Sequence, residues 1–126
     1  MRKAILFVVL VLLIGCKAKL NSETVVQVGV GDLKATIIDP ISKSQTINIS
    51  ARSLDGKFNL YCFLEKDQKE VEKAITQGKQ SDKILASEPR TSVAQLQATI
   101  PANEAAVILL TCTDVAKAEV KLKITN

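Results

Sequence analysis

The 126 residues contain three cysteines, at 16, 62 and 112, and no histidine. Thiol chemistry is therefore the main reactive theme, and it has to work without an imidazole. Ser-His-Asp and Cys-His catalysis and histidine-based zinc binding are excluded outright, and the usual general base near neutral pH is missing. Cys62 and Cys112 are far from C-x-x-C spacing, which argues against a metal or redox pair. The other chemistry-bearing groups give weak signals. Ser81, Asp82 and Lys83 adjoin and formally offer a Ser-Lys device, but a solvated loop has the same composition. Gly29-Val30-Gly31-Asp32 lacks the third glycine and following helix of a dinucleotide site and reads as a strand bend or bulge. Asp32, Asp39, Asp55 and Asp114 fall at expected strand ends without the dense acidic spacing of a calcium loop, so they read as turn formers. The sequence assigns no catalytic residue, no metal and no cofactor.

Cys16 stands apart because of what precedes it. Arg2-Lys3, the apolar run Ala4 to Ile14 and the four residues Leu13-Ile14-Gly15-Cys16 resemble the signal peptide and lipobox of bacterial lipoproteins. The resemblance implies a diacylglyceryl group on the Cys16 sulfur, cleavage between Gly15 and Cys16, and acylation of the new amino end. Two other readings stay open: an ordinary secretion signal that leaves Cys16 as a thiol, and a retained membrane segment. Length weighs against the last, because a spanning helix needs roughly 20 apolar residues and Ala4 to Ile14 supplies eleven. Each buried methylene contributes about 0.8 kcal/mol, so two or more acyl chains anchor stably where one does not. In lipoproteins of enteric-type bacteria an Asp after the cysteine marks inner-membrane retention. Lys17 stands there instead, so the resemblance favours the periplasmic face of the outer membrane, with the cell surface as the other location.

Loss of residues 1–15 removes Arg2 and Lys3, so the 17 basic residues become 15 against 13 acidic ones, a net charge of +2. With that balance, one Tyr, three Phe and no basic run, the footprint of a nucleic-acid binder is missing. The remaining 111 residues suit one domain able to bury its own core. Lipid on Cys16 would leave Cys62 and Cys112 as an even pair in an oxidising compartment, and a disulfide between them is expected. It would close a 50-residue separation and contribute on the order of 3–4 kcal/mol. The alternative is two buried thiols acting as small apolar residues.

The elements that position these groups are mostly strands. Val26, Val28 and Val30, then Ile47, Ile49 and Ala51, alternate with polar or small residues. Ala118, Val120, Leu122 and Ile124 alternate with Lys117, Glu119, Lys121 and Lys123, giving one dry and one charged face. Leu33 to Ile38, Lys57 to Leu64, Val93 to Ile100 and Ala105 to Thr113 complete seven strands, bounded by breaks at Asp39-Pro40, Asp55-Gly56, Glu88-Pro89 and Pro101-Ala102-Asn103. From Asp67 the rhythm turns helical. Asp67 and Glu70 have capping-box spacing, Val71, Ala74 and Ile75 form a narrow apolar stripe, and Gly78 is placed to end the helix. The expected fold is mainly β: a single antiparallel β-sandwich, immunoglobulin-like or jelly-roll-like, of about seven strands with one short helical insertion. Its expected boundaries are a signal helix over 1–15, a lipidated Cys16 with a short tether over 16–23, and the sandwich over 24–126.

From Ser44 to Ile124, the order "SQTINISARSLDGKFNLYCFLEKD", "KILAS" and "LQATIPANEAAVILLTCTDVAKAEVKLKI" resembles small bacterial sandwich modules of the GOLD and pre-peptidase C-terminal kind. That resemblance implies accessory binding or structural spacing and carries no catalytic residues. Side-chain parity adds a surface. If Phe58, Leu60, Cys62 and Leu64 point into the core, Tyr61 and Phe63 point out; with Ile108, Leu110 and Cys112 inward, Val107 and Leu109 point out. An outward set that is apolar needs a cover, supplied by the helix or by a protein partner. The function expected is a lipid-anchored, non-enzymatic interaction or structural module at the membrane. The alternative is a ligand-binding or inhibitory lipoprotein that captures a small molecule or an incoming protein.

Overall fold

The computed structural model describes residues 20–112 and 117–126. Residues 1–15, the expected signal, and Cys16, Gly15, Lys17 and Asp114 lie outside them. The described chain forms eight strands, β1 (Asn21–Gly29), β2 (Leu33–Ile38), β3 (Gln45–Ser53), β4 (Phe58–Leu64), β5 (Ile84–Thr91), β6 (Val93–Ile100), β7 (Ala106–Thr111) and β8 (Lys117–Thr125), with one helix, α1 (Gln68–Thr76), between β4 and β5. They build two antiparallel four-stranded sheets, ordered β1-β8-β3-β6 and β2-β7-β4-β5. The expected β-sandwich with a helical insertion is the observed architecture.

Alternation explains the packing between the sheets. Val28, Ile47, Ile49, Ala51, Val120, Leu122 and Ile124 of the first sheet meet Phe58, Leu60, Cys62, Ile108 and Leu110 of the second in one buried cluster. Each fully buried Leu, Ile or Phe contributes about 1.5–3 kcal/mol by leaving water.

Three expectations change. An eighth strand, β5, occupies the stretch read as a break, because Pro89 sits within it at a bulge on a sheet edge, where a missing N–H costs no ladder bond. β1 begins at Asn21 rather than near Thr24, because Asn21 pairs with Thr125 at the chain's far end. The capping box is not made: Asp67 gives no side-chain cap bond, and the turn Glu65–Asp67 is a 3-10 turn feeding directly into α1. The helix ends as its glycine implies. Gly78 adopts φ +69°, its N–H bonds Ile75 O at 3.1 Å and the Lys79 N–H bonds Ala74 O at 2.8 Å, a Schellman closure.

Candidate functional site

The outer face of the second sheet is where the sequence reading placed an apolar set that needs a cover, either the helix or a protein partner. β4 and β7 are apolar on both parities, so each must be buried on both faces. The structure meets that need internally. Phe63, Val107 and Leu109 have no solvent exposure and form a second cluster with Val71 of α1, flanked by Tyr61, Ile75 and Ile84. The partner-surface expectation for Phe63, Val107 and Leu109 is therefore corrected, and Tyr61 remains half-buried at the rim.

Toward the other end, the same outer face becomes polar and stays buried. Asn59 Nδ2 donates to Thr111 Oγ1 at 2.9 Å, and the Asn59 Oδ1 accepts from the Arg90 N–H at 2.8 Å. Asn59 faces the bulge in β5, where Phe58 pairs with Thr91 but Leu60 pairs with Glu88. Arg90 there takes φ +49°, and the Asn59 amide stands in for the interrupted ladder. Tyr61 shares a hydrogen bond with Thr111; burial pushes its phenol above the ordinary range, and that bond partly opposes the shift. This is a bulge clamp. No sequence signal pointed to it, because a single Asn in an apolar strand names no partner.

The two downstream cysteines are buried thiols that do not bond to each other. Both lie on the core parity of neighbouring strands, but register separates them. Cys62 pairs with Ile108, and Cys112 lies four residues further along, about 13 Å at strand rise. A disulfide needs Cα atoms within about 7 Å, so the expected bridge is not made. Burial pushes the Cys62 thiol up to about 12, which keeps it protonated. The Cys112 thiol donates to Lys57 O at 3.5 Å.

Two of the acidic turn residues, Asp32 and Asp55, are committed to backbone. Asp32 Oδ2 accepts from the Gly29 N–H at 2.9 Å, closing the β1–β2 turn around Gly31 at φ +83°. Asp55 Oδ1 accepts from the Glu119 N–H at 3.1 Å and from the Ser53 hydroxyl at 3.1 Å, tying the β3–β4 loop to β8. Ser81 Oγ accepts from the Lys83 N–H at 3.2 Å, an ordinary turn contact rather than a nucleophile aligned on an amine. Among the described residues, no group of three or more acidic or Cys side chains is placed to hold a metal ion.

Two concavities bear on ligand capture. One, about 260 Å³, opens between the sheets at the N-terminal end and is lined by Leu20, Thr36, Ile38, Ile41, Gln45 and Ile124, among others. The other, about 460 Å³, runs between the end of α1 and β5, with Tyr61, Ile75, Ser81, Ile84 and Ser87 along it. The outer face of the first sheet is polar and open. Gln97 Nε2 donates to Asn48 Oδ1 at 3.1 Å and the Thr46 and Thr99 hydroxyls lie 3.2 Å apart, while Arg52 and Lys121 stand directly opposite each other. Comparison of the sequence with protein-family models and with curated proteins finds no match.

Proposed function

We propose that this chain is a lipid-anchored, non-enzymatic interaction or structural module that works within a short reach of a membrane. The observation that carries the reading is a spacing. Only residues 17–20 separate Cys16, the last residue of the lipobox-like run, from the first residue of β1 at Asn21. Extended, that connection spans no more than about 18 Å, so acylation of Cys16 would hold the sandwich against the headgroups. Lys17 and Lys19 would add at most about 1 kcal/mol each toward anionic lipid. On the lipoprotein resemblance the site of action is the cell envelope, at the periplasmic face of the outer membrane or the cell surface. Its partner there would be a protein rather than nucleic acid.

The ligand-capturing alternative rests on the two concavities. At about 260 Å³ the gap between the sheets falls below the 300–1,000 Å³ of ordinary small-molecule sites, whereas the groove between α1 and β5, at about 460 Å³, lies within that range and is the better support for this alternative. The deciding experiment is metabolic labelling with an alkyne fatty acid in a bacterial host, followed by membrane fractionation of wild type and Cys16→Ala. Labelled wild type in the membrane fraction, with Cys16→Ala unlabelled and retaining residues 1–15, is the expected result. An unlabelled, cleaved wild type recovered in the soluble fraction would overturn it.

A further inference from the structure

The sandwich has four edge strands, β1, β6, β2 and β5, and an edge is a template for another strand unless something blunts it. β5 is interrupted by Pro89 and two register shifts, and it is joined to β6 through Ser92 alone. β1 presents Asn21, Glu23, Val25 and Gln27 on its outer side, polar at three of four positions. β2 differs. It pairs with β7 over all six residues without a register shift and contains neither proline nor glycine. Its outward side chains are Leu33, Ala35 and Ile37, with Leu33 37% and Ile37 44% exposed. Across the ladder, Ala35 stands beside Leu109 and Ile37 beside Val107. These outward side chains are thus the last column of the apolar layer, continued past the part packed against Val71 of α1.

We propose that β2 pairs antiparallel with β2 of a second copy of this chain about a two-fold axis at Ala35, joining two four-stranded sheets into one of eight strands. The sequence Leu33-Lys34-Ala35-Thr36-Ile37 is self-complementary about that point. Leu33 meets Ile37 of the other copy twice, the two small Ala35 side chains meet on the axis, and Lys34 meets Thr36 on the opposite face. A two-fold antiparallel junction keeps each side chain on its own face only when the axis passes through a residue. Centring on Lys34 opposes two ammonium groups, and centring on Thr36 sets Leu33 against Asp39, so charge and polarity select Ala35. Lys34 thus specifies the register instead of blocking the edge.

One strand pair is small beside the 1,200–2,000 Å² of stable interfaces, so the pairing is weak in dilute solution. The expectation that it forms in the membrane rests on the lipid-anchor reading, because confinement of both copies raises their effective concentration. The test is oxidative cross-linking of the full chain carrying Ala35→Cys, in isolated membranes. Cα atoms across the axis would lie about 4.5–5.5 Å apart, within disulfide reach. The expected result is a band at twice the monomer mass on a non-reducing gel, at least fivefold stronger than in wild type or in Gln27→Cys on the outer face of β1. Chains with Lys34→Cys and with Thr36→Cys should cross-link when co-expressed and not when expressed singly. An Ala35→Cys yield no higher than that of Gln27→Cys would overturn the pairing. If fractionation finds the chain outside the membrane, the anchor reading fails by itself. The same yields are then read on purified full chain at about millimolar concentration, where a dimer through Ala35→Cys supports the pairing and its absence overturns it.

Discussion

The two outer faces of this sandwich are built from opposite materials. On the first sheet the outward positions include Asn48, Gln95, Gln97, Thr99, Lys121 and Lys123, which stand open to water, with Ser50 half-buried and Val25 and Val93 as exposed apolar exceptions. On the central strands of the second, β4 and β7, they are Phe63, Val107 and Leu109, with a polar end at Asn59 and Thr111, and all five are buried beside half-buried Tyr61. The difference teaches where α1 has to go. A sheet whose strands alternate is finished once its dry face meets another sheet, whereas a sheet made of strands apolar on both parities requires a second cover. Val71 meets that requirement: it has no solvent exposure, and it packs with Phe63, Val107 and Leu109 on the face away from the main core.

Substitutions should separate the two faces by the size of their effects. The largest is expected for Phe63→Lys, which places an ammonium in the covered layer. It should cost more than about 3 kcal/mol in urea unfolding, and an effect under about 1 kcal/mol would mean that α1 does not cover β4. Asn59→Ala comes next, because it takes away the acceptor of the Arg90 N–H and the donor to Thr111. About 1–3 kcal/mol is expected, with faster amide exchange at Arg90 as the local readout. Gln97→Ala on the open face should stay within about 0.5 kcal/mol, since water replaces the bond to Asn48. A loss comparable to that of Asn59→Ala would show that the polar face is a packed surface after all.

Much of this contrast was legible in the residues. The alternation from Ala118 to Ile124 marked an open-faced strand, and the unbroken apolar runs of β4 and β7 marked strands needing cover on both sides. Gly78 marked the helix end. The bulge clamp was not legible, since Asn59 acquires its role only when Pro89 and Arg90 arrive opposite it from thirty residues away. Nor was β5, because Glu88-Pro89 reads as a terminator unless the strand is known to lie on an edge.

By itself, then, the sequence determined which side chains share a face, because backbone geometry sends alternate residues to opposite sides of any strand. It also carried the lipobox-like approach to Cys16 and the absence of histidine. Only the tertiary structure decided where along a shared face two residues fall. Cys62 and Cys112 are on the same side of neighbouring strands, as their parity requires, yet the pairing of Cys62 with Ile108 leaves them four residues apart and unable to bridge. Tertiary structure also decided what covers the outer apolar layer. Parity states that Phe63 and Leu109 point away from the main core, and the folded position of Val71 is what puts protein rather than a partner over them.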